Sequence, residues 1–233
     1  MHRPPQRVVF FTGAGMSAES GVPTYRGQGG IWKEYDYQRF ACQRAFERDP
    51  DGVWEFHNYR RGLVAACAPH RGHELITRAE QALDDVVVVT QNIDGMHQRA
   101  GTERVLELHG SLWRTRCEAC GKEEANAQSP LEETRCSCGA PKRPAIVWFG
   151  DALDGDTIRE AATAIAHADV LVSIGTSATV YPAAELPLIA RERGAHLIEI
   201  NPDPTPLSDA YDEHLRGPAG EMLGVLAKRW GLD

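Results

Sequence analysis

A run of β-branched and aromatic residues, Val8-Val9-Phe10-Phe11, breaks at Thr12 into Gly13-Ala14-Gly15 and continues as Met16-Ser17-Ala18-Glu19-Ser20-Gly21. The apolar run predicts a buried strand. The Gly-Ala-Gly break predicts a tight turn, and Met16–Ser20 the first turn of a helix. Strand, glycine turn and helix start together form a phosphate cradle: glycines let backbone approach a pyrophosphate, and unpaired N–H groups point at the anion. The spacing Gly13-x-Gly15-x-x-Ala18 fits the dinucleotide fingerprint with its permitted final Ala. Alone, the fingerprint does not separate a cradle from a plain glycine turn.

The residues beyond Ser20 bend that reading. An ordinary dinucleotide unit runs into a long helix, a second strand and an acidic residue about 20 positions on. Here Gly21-Val22-Pro23-Thr24-Tyr25-Arg26-Gly27 interrupts the helix after one turn. Asp36 stands near the expected distance, but Glu34-Tyr35-Asp36-Tyr37-Gln38 has no strand character. This is the pattern of a dinucleotide site with a loop laid over it, and it disfavours a plain dehydrogenase. Read whole, Gly13 to Arg26 resembles the opening motif of the sirtuins, the NAD-consuming protein deacylases.

The chain has 233 residues, 42% hydrophobic and 25% charged, which suits one sizeable domain with a small inserted module. It holds no long apolar run of membrane-spanning length, and no apolar secretory core precedes the first strand, so no membrane partner and a cytoplasmic location are expected. A net charge of −8 argues against a direct electrostatic grip on nucleic acid and is compatible with basic, lysine-bearing substrates.

Val86-Val87-Val88-Val89-Thr90 predicts a strand buried on both faces of a parallel sheet. Gln91-Asn92-Ile93-Asp94 comes next at its carboxyl end, where open α/β sheets bind ligands; a helix-opening Asn or Asp would read the same way locally. Val105–Leu108 is a further short strand ending in His109. An imidazole at that sheet end is a natural general base, although a lone histidine there also serves as packing. His70 and His73 lack an accompanying carboxylate or cysteine and read as capping or packing residues. Between them and the glycine turn, residues 40–48 and 51–68 predict helices broken at Asp49-Pro50.

Cys117-Glu-Ala-Cys120 is followed, after 15 residues, by Cys136-Ser-Cys138. The first pair has standard zinc-knuckle spacing, and the second is one residue tighter. Four thiolates make a closed tetrahedral structural site with no place for water, so one structural Zn(2+) per chain is expected; a redox or disulfide role is the alternative. Cys42 and Cys67 are given no role.

The final third alternates strand and helix: a helix over 157–168, a strand over 169–174 ending in Gly175-Thr176-Ser177, a helix over 182–193, a strand over 195–200 ending in Asn201-Pro202, and a helix over 218–230. That order predicts a Rossmann-like, doubly wound parallel α/β sheet with a small inserted lobe containing the four-cysteine zinc module. The large lobe takes about 7–21, 72–112 and 147–230, and the small lobe 22–71 and 113–146, within one catalytic domain over 1–233.

The sirtuin resemblance extends in order through Thr90–Gly101, Leu106–Ser111, the four cysteines, Val147–Asp151, Gly175–Ser177 and Asn201-Pro202. It implies NAD as co-substrate. Gly13, Ala14, Gly15, Ser17, Ala18 and Arg26 would contact it around the glycine turn, with Tyr25, where the family more often has Phe, screening the reactive ribose. Gln91 and Asn92 would hold the nicotinamide ribose, and Ile93 and Asp94 the carboxamide. Gly175, Thr176, Ser177, Asn201 and the segment near Ala219 would surround the adenosine half. Val147, Trp148 and Phe149 would pair with an acyl-lysine protein or peptide by strand addition. His109 would take a ribose hydroxyl proton, with Asn92 as the second catalytic residue, yielding nicotinamide, 2′-O-acyl-ADP-ribose and free lysine. The implied assembly is a monomer.

Trp54-Glu55-Phe56-His57-Asn58-Tyr59-Arg60-Arg61 resembles the segment of the subclass that prefers succinyl- and malonyl-lysine. There a Tyr-x-x-Arg pair binds the acyl carboxylate. Arg60 matches the Arg, while His57 stands in the Tyr position, and its help is expected to grow as pH falls. Mono-ADP-ribosyl transfer from the same NAD site and a non-catalytic NAD-sensing module remain the alternatives.

Overall fold

The computed structural model describes residues 5–25, 30–31 and 35–232. Among the described residues nine strands occur, in chain order β1 (Arg7–Thr12), β2 (Asp85–Thr90), β3 (Val105–Glu107), β4 (Gly110–Cys117), β5 (Glu123–Ala125), β6 (Lys142–Ile146), β7 (Val170–Ile174), β8 (His196–Ile200) and β9 (Glu213–Leu215). Six of them form a sheet in the order β3-β2-β1-β7-β8-β9, parallel at every pairing.

Side-chain alternation distributes the strands' residues to two faces. Val8, Phe10, Val86, Val88, Val172 and Ile174 pack on one face against Leu75 and Ile76 of the helix Arg71–Ala82 and Leu223 and Leu226 of the helix Ala219–Trp230. Val9, Phe11, Val87, Val89 and Leu171 pack on the other against Ala161 and Ile165 of the helix Gly155–Ala166 and Leu186 and Ala190 of the helix Leu186–Glu192. The sheet is thus doubly wound. The all-valine run of β2 is explained by burial on both sides.

A third apolar cluster joins the helices Gln43–Arg48 and Pro50–Ala65, through Phe46, Trp54 and Val64, to Leu112 of β4 and to Ile146 and Trp148. Here β5-β4-β6 form an antiparallel sheet that carries the cysteines. Asp49 caps the longer helix by accepting the Gly52 N–H at 3.0 Å, and Pro50 occupies its first turn, where a missing N–H costs nothing.

Two local expectations change. Ala14–Ser20 is a seven-residue 3-10 segment rather than an α-helical turn, closed by Gly21 in the left-handed region. The three-residue β9 is an addition to the predicted elements, because Glu213-His214-Leu215 has no apolar run; it is an edge strand held by pairing with β8. His70 and His73 form the cap of the helix Arg71–Ala82: the His70 side chain accepts the Gly72 N–H, and His73 is fully buried.

Candidate active site

In this strand order the chain leaves β1 toward β2 and β3, then returns to the other side of β1 as β7. The gap between the carboxyl ends of β1 and β7 is therefore the topological switch point, the ligand site of an open α/β sheet. The glycine turn lies there. Gly13 N–H donates to Ile174 O at 2.9 Å and Gly15 N–H to Gly175 O at 2.8 Å, so the turns after β1 and β7 are in backbone contact. A Cβ at Gly13 would stand 2.8 Å from Gly175 O, and one at Gly15 would stand 2.7 Å from Gly175 Cα. Gly175 itself has φ +60, in the left-handed region. The glycines are required by this apposition.

A cleft of about 510 Å³ opens over it. Gly13, Ala14 and Gly15 line it from β1; Gln91, Asn92 and Ile93 from β2; His109 from beyond β3; Gly175, Thr176 and Ser177 from β7; and Asn201 from β8. The opposite wall is Tyr25 and Arg60 of the helical insertion, with Ile146–Asp151 where the chain leaves β6. The polar residues brace one another across strands. Gln91 Nε2 donates to Thr176 Oγ1 at 3.0 Å, Asn92 Nδ2 to Gly13 O at 3.0 Å, and Asn201 Nδ2 to Thr176 O at 3.2 Å. Ser177 Oγ is 2.8 Å from Thr179 Oγ1.

His109 Nδ1 lies 2.9 Å from Gln91 O. Because a carbonyl only accepts, the proton sits on Nδ1 and the lone pair on Nε2. Burial lowers the His109 pKa, and the bond to Gln91 O pulls the other way by supporting the charged form. This is the tautomer and charge state of a general base.

Several expected contacts lie behind the cleft rather than on it. Among the described residues, Ser17, Ala18, His57, Asp94 and Ala219 are not in its lining. Ser17 is buried under Asn92, whose Nδ2 is 3.4 Å from Ser17 Oγ. Ala18 is exposed on the far side of the 3-10 segment. Buried Asp94 accepts the Met96 N–H at 2.9 Å, and burial raises its carboxyl pKa. Ala219 packs into the core. Arg26 lies outside the described residues. Thr24, Leu153, Val180, Tyr181 and Asp203 join the wall in addition to the expected residues; Asp203 comes just after Asn201-Pro202, so extending the strand-end argument by two residues reaches it.

Arg60 and His57 part company. Arg60 is 5% exposed, lines the cleft, donates from Nη2 to the Tyr25 hydroxyl at 2.7 Å and stacks 4.9 Å from the Tyr25 ring centre. Its Nε is buried without a partner among the described residues. His57 is fully buried, donates from Nε2 to Phe40 O at 3.2 Å and stacks on Trp148. Burial, then the nearby Arg60 cation, lowers its pKa to about 3. The expectation that His57 assists more as pH falls from 8 to 6 is therefore corrected: the ring stays neutral throughout that interval.

The segment Val147–Phe149 lines the cleft, but its donors are engaged within the protein. Val147 N–H donates to His109 O at 2.9 Å, Trp148 N–H to Asp151 Oδ2 at 3.1 Å, and Phe149 N–H to Ala41 O at 3.1 Å. A strand laid along it would be held through carbonyl acceptors, Val147 O in particular.

Away from the cleft, Cys117, Cys120, Cys136 and Cys138 place their sulfurs within 4.8 Å of one another, all as free thiols. Separations of 3.5, 3.8 and 3.9 Å match the edge of about 3.8 Å expected for four thiolates at zinc–sulfur distances of about 2.3 Å. The donor set fits a closed structural zinc site. Among the described residues, no helix is long and apolar enough to cross a membrane.

Comparison with known proteins agrees with this geometry. Residues 13–182 match the Sir2 family. An NAD-dependent protein deacylase of Aquifex aeolicus is 44% identical over 219 residues, covering 93% of this chain and 92% of the relative. The mitochondrial NAD-dependent protein deacylase sirtuin-5 of Danio rerio is 38% identical, covering 96% and 83%. Among solved structures, a Sir2 homologue–NAD complex superposes with a TM-score of 0.91 at 40% identity, covering 98% of this chain and 91% of that one. A complex of Sir2 with p53 peptide and NAD+ superposes at 0.85 and 31% identity, covering 98% and 95%. With the switch-point glycines, the strand-end amides, the base-form histidine and the four-thiol knuckle in one chain, and with matches spanning nearly all of it, this protein belongs to the Sir2 family.

Proposed function

We propose that this protein is an NAD-dependent protein-lysine deacylase, acting on acetyl-lysine and, through Arg60, on succinyl- or malonyl-lysine. The observation that carries the reading is His109, held with its lone pair on Nε2, in the same cleft as the apposed glycine turns of β1 and β7. The names of the relatives and the NAD and peptide complexes of the structural neighbours support it.

The cleft's donor set fits the dinucleotide. Gly13–Gly15 and Gly175–Ser177 would cradle its phosphates and adenosine half, Asn201 its far ribose, and Gln91 and Asn92 the ribose beside nicotinamide. When bound, NAD supplies a glycosidic bond that yields nicotinamide and an ADP-ribose that accepts the acyl group. His109 Nε2 would take the ribose hydroxyl proton, and the Gln91 carbonyl would steady the imidazolium that results. Val147 O would accept the substrate amide N–H, aligning the acyl-lysine. Arg60 would receive a terminal carboxylate on the acyl group. Cys117, Cys120, Cys136 and Cys138 would hold a structural zinc away from the cleft, where it would order the antiparallel sheet that leads into the wall.

The test is nicotinamide release from NAD with acetyl- and succinyl-lysine peptides. Release should depend on the acyl peptide, and His109→Ala should lower turnover by about 10²–10⁴ while leaving NAD binding within a few-fold. Release indifferent to peptide would favour ADP-ribosyl transfer to another nucleophile, and near-normal turnover by His109→Ala would remove the histidine from the reaction.

A further inference from the structure

The cleft wall Ile146–Asp151 is held from behind by one buried cation. Arg143 is 2% exposed, and its guanidinium lies 3.6 Å from the Trp148 ring centre. Its Nη2 donates to Ile146 O at 3.0 Å and to Asp151 Oδ2 at 2.7 Å, while Nη1 donates to Gln43 Oε1 at 2.7 Å. Asp151 relays the contact: the same Oδ2 accepts the Trp148 N–H at 3.1 Å, and Asp151 N–H returns to Trp148 O at 3.0 Å. Stack, carbonyl contact and carboxylate relay fix both faces of the turn Trp148–Asp151.

The other end of the same network is the zinc knuckle. Gln43 Nε2 donates to Glu118 Oε2 at 2.6 Å, and Glu118 stands between Cys117 and Cys120. In the β4–β6 ladder Cys117 pairs with Lys142 and Arg116 with Arg143, so the first zinc ligand is one register step from the guanidinium's own residue. Two routes, one through side chains and one through backbone, therefore connect the four-thiol site to the cleft wall. Neither route passes through the glycine turns or Asn201.

We infer that Arg143, with Asp151 and Gln43, is the positioning set through which the zinc module holds the acyl-peptide wall, so that it governs peptide affinity and leaves the dinucleotide end alone. The inference rests on the reading of Val147–Phe149 as the peptide segment. A merely structural role would weaken the two ligands together; this arrangement separates them. Removing one charge-assisted hydrogen bond from the support corresponds to about tenfold in affinity.

The experiment is calorimetric binding of an acetyl-lysine peptide in the presence of ADP-ribose, and of ADP-ribose alone, to the zinc-loaded protein. Asp151→Asn keeps an acceptor for Trp148 N–H but loses the charge that faces Arg143. Gln43→Ala removes the link to the knuckle while Arg143 keeps its carboxylate partner. Both should weaken the peptide about tenfold, with ADP-ribose unchanged within about twofold and one zinc per chain retained. Glu118→Ala should weaken the peptide in the same direction by about threefold, since its contact is solvent-exposed. Should Asp151→Asn fail to fold, Gln43→Ala decides. Unchanged peptide affinity in folded Gln43→Ala, or equal losses for peptide and ADP-ribose, overturns the inference. Failure of the wild type to bind the peptide at all would instead overturn the peptide-segment reading on which it rests.

Discussion

Lowering the pH from 7 to 5 should destabilise this fold strongly, because three histidines are buried in their neutral form. His57 and His97 have pKa values lowered to about 3 and His73 to about 2, burial being the largest cause for each. Cationic or histidine neighbours add to it: Arg60 beside His57, His97 and His70 beside His73, and His70 near His97. His97 Nε2 is 3.0 Å from Thr12 Oγ1, while its Nδ1, like that of His57, has no partner among the described residues to steady a proton. In the unfolded chain each would titrate near 6.5. Below that value the unfolded state binds more protons, so the stability these rings contribute is complete above about pH 6.5 and falls toward the folded-state pKa. Between pH 7 and 5 the linkage amounts to roughly 2 kcal/mol per histidine, about 6 kcal/mol for three, a large share of an ordinary domain's stability. Urea unfolding at the two pH values measures the total, and His97→Gln should reduce the pH-dependent loss by roughly 2 kcal/mol. Acid also weakens zinc binding, so the imidazole resonances are the decisive readout. Three histidines should stay neutral through pH 5; if all the imidazoles titrate near 6.5, the burial argument is refuted.

Arg60→Met should reduce kcat/KM on succinyl-lysine by an amount equivalent to about 2–5 kcal/mol, the range for removing one partner of a buried charge pair, while acetyl-lysine turnover is largely spared. With His57 neutral down to about 3, the succinyl-to-acetyl ratio of the wild type should be flat between pH 6 and 8; a ratio rising toward pH 6 would return His57 to the acyl site. Cys136→Ser should abolish zinc binding, read by metal analysis, and open residues 117–141 to limited proteolysis; a zinc-free wild type that resists the protease would dismiss the structural metal. Gly175→Ala should cost roughly 2–5 kcal/mol in urea unfolding, because its Cβ would enter the backbone of Gly15 and Met16 at a positive φ; a loss below about 1 kcal/mol would mean that the two turns can separate freely.

The large sheet is legible in the sequence because its physics is local. A strand covered on both faces must be continuously apolar, as Val86–Val89 is, and residues just past such a strand must emerge at one edge. That logic locates Gln91, Asn92, His109 and Gly175 without knowledge of any contact. It does not reach β4, β5 and β6, whose residues are mostly polar and whose pairing is secured by the cysteines and by antiparallel register. His57 escapes it for a related reason. Helical spacing sets His57 and Arg60 on neighbouring turns, yet it cannot tell that Phe40, Phe56 and Trp148 close over the first while the second stays on the cleft.

The division of labour in the cleft has the same physical origin. A parallel sheet brings strand ends together and so builds the dinucleotide side from residues far apart in sequence, but it offers nothing across the gap to hold a second substrate. The facing wall draws on the insertions, whose buried apolar residues come mostly from the helical segment, while residues 113–146 add only Leu131 and Ile146 to the buried part of that third cluster. Four thiols supply the missing order at one end, and at the other the Trp148 stack, with Phe46 beside it, anchors the wall to the helical insertion. Arg143 sits between the two, a buried charge whose unpairing would be costly, which makes it a poor source of stability and a good source of a single geometry. On the proposed function, a wall built this way would hold one register of substrate backbone, with the acyl group between Arg60 and His109, which both line the cleft.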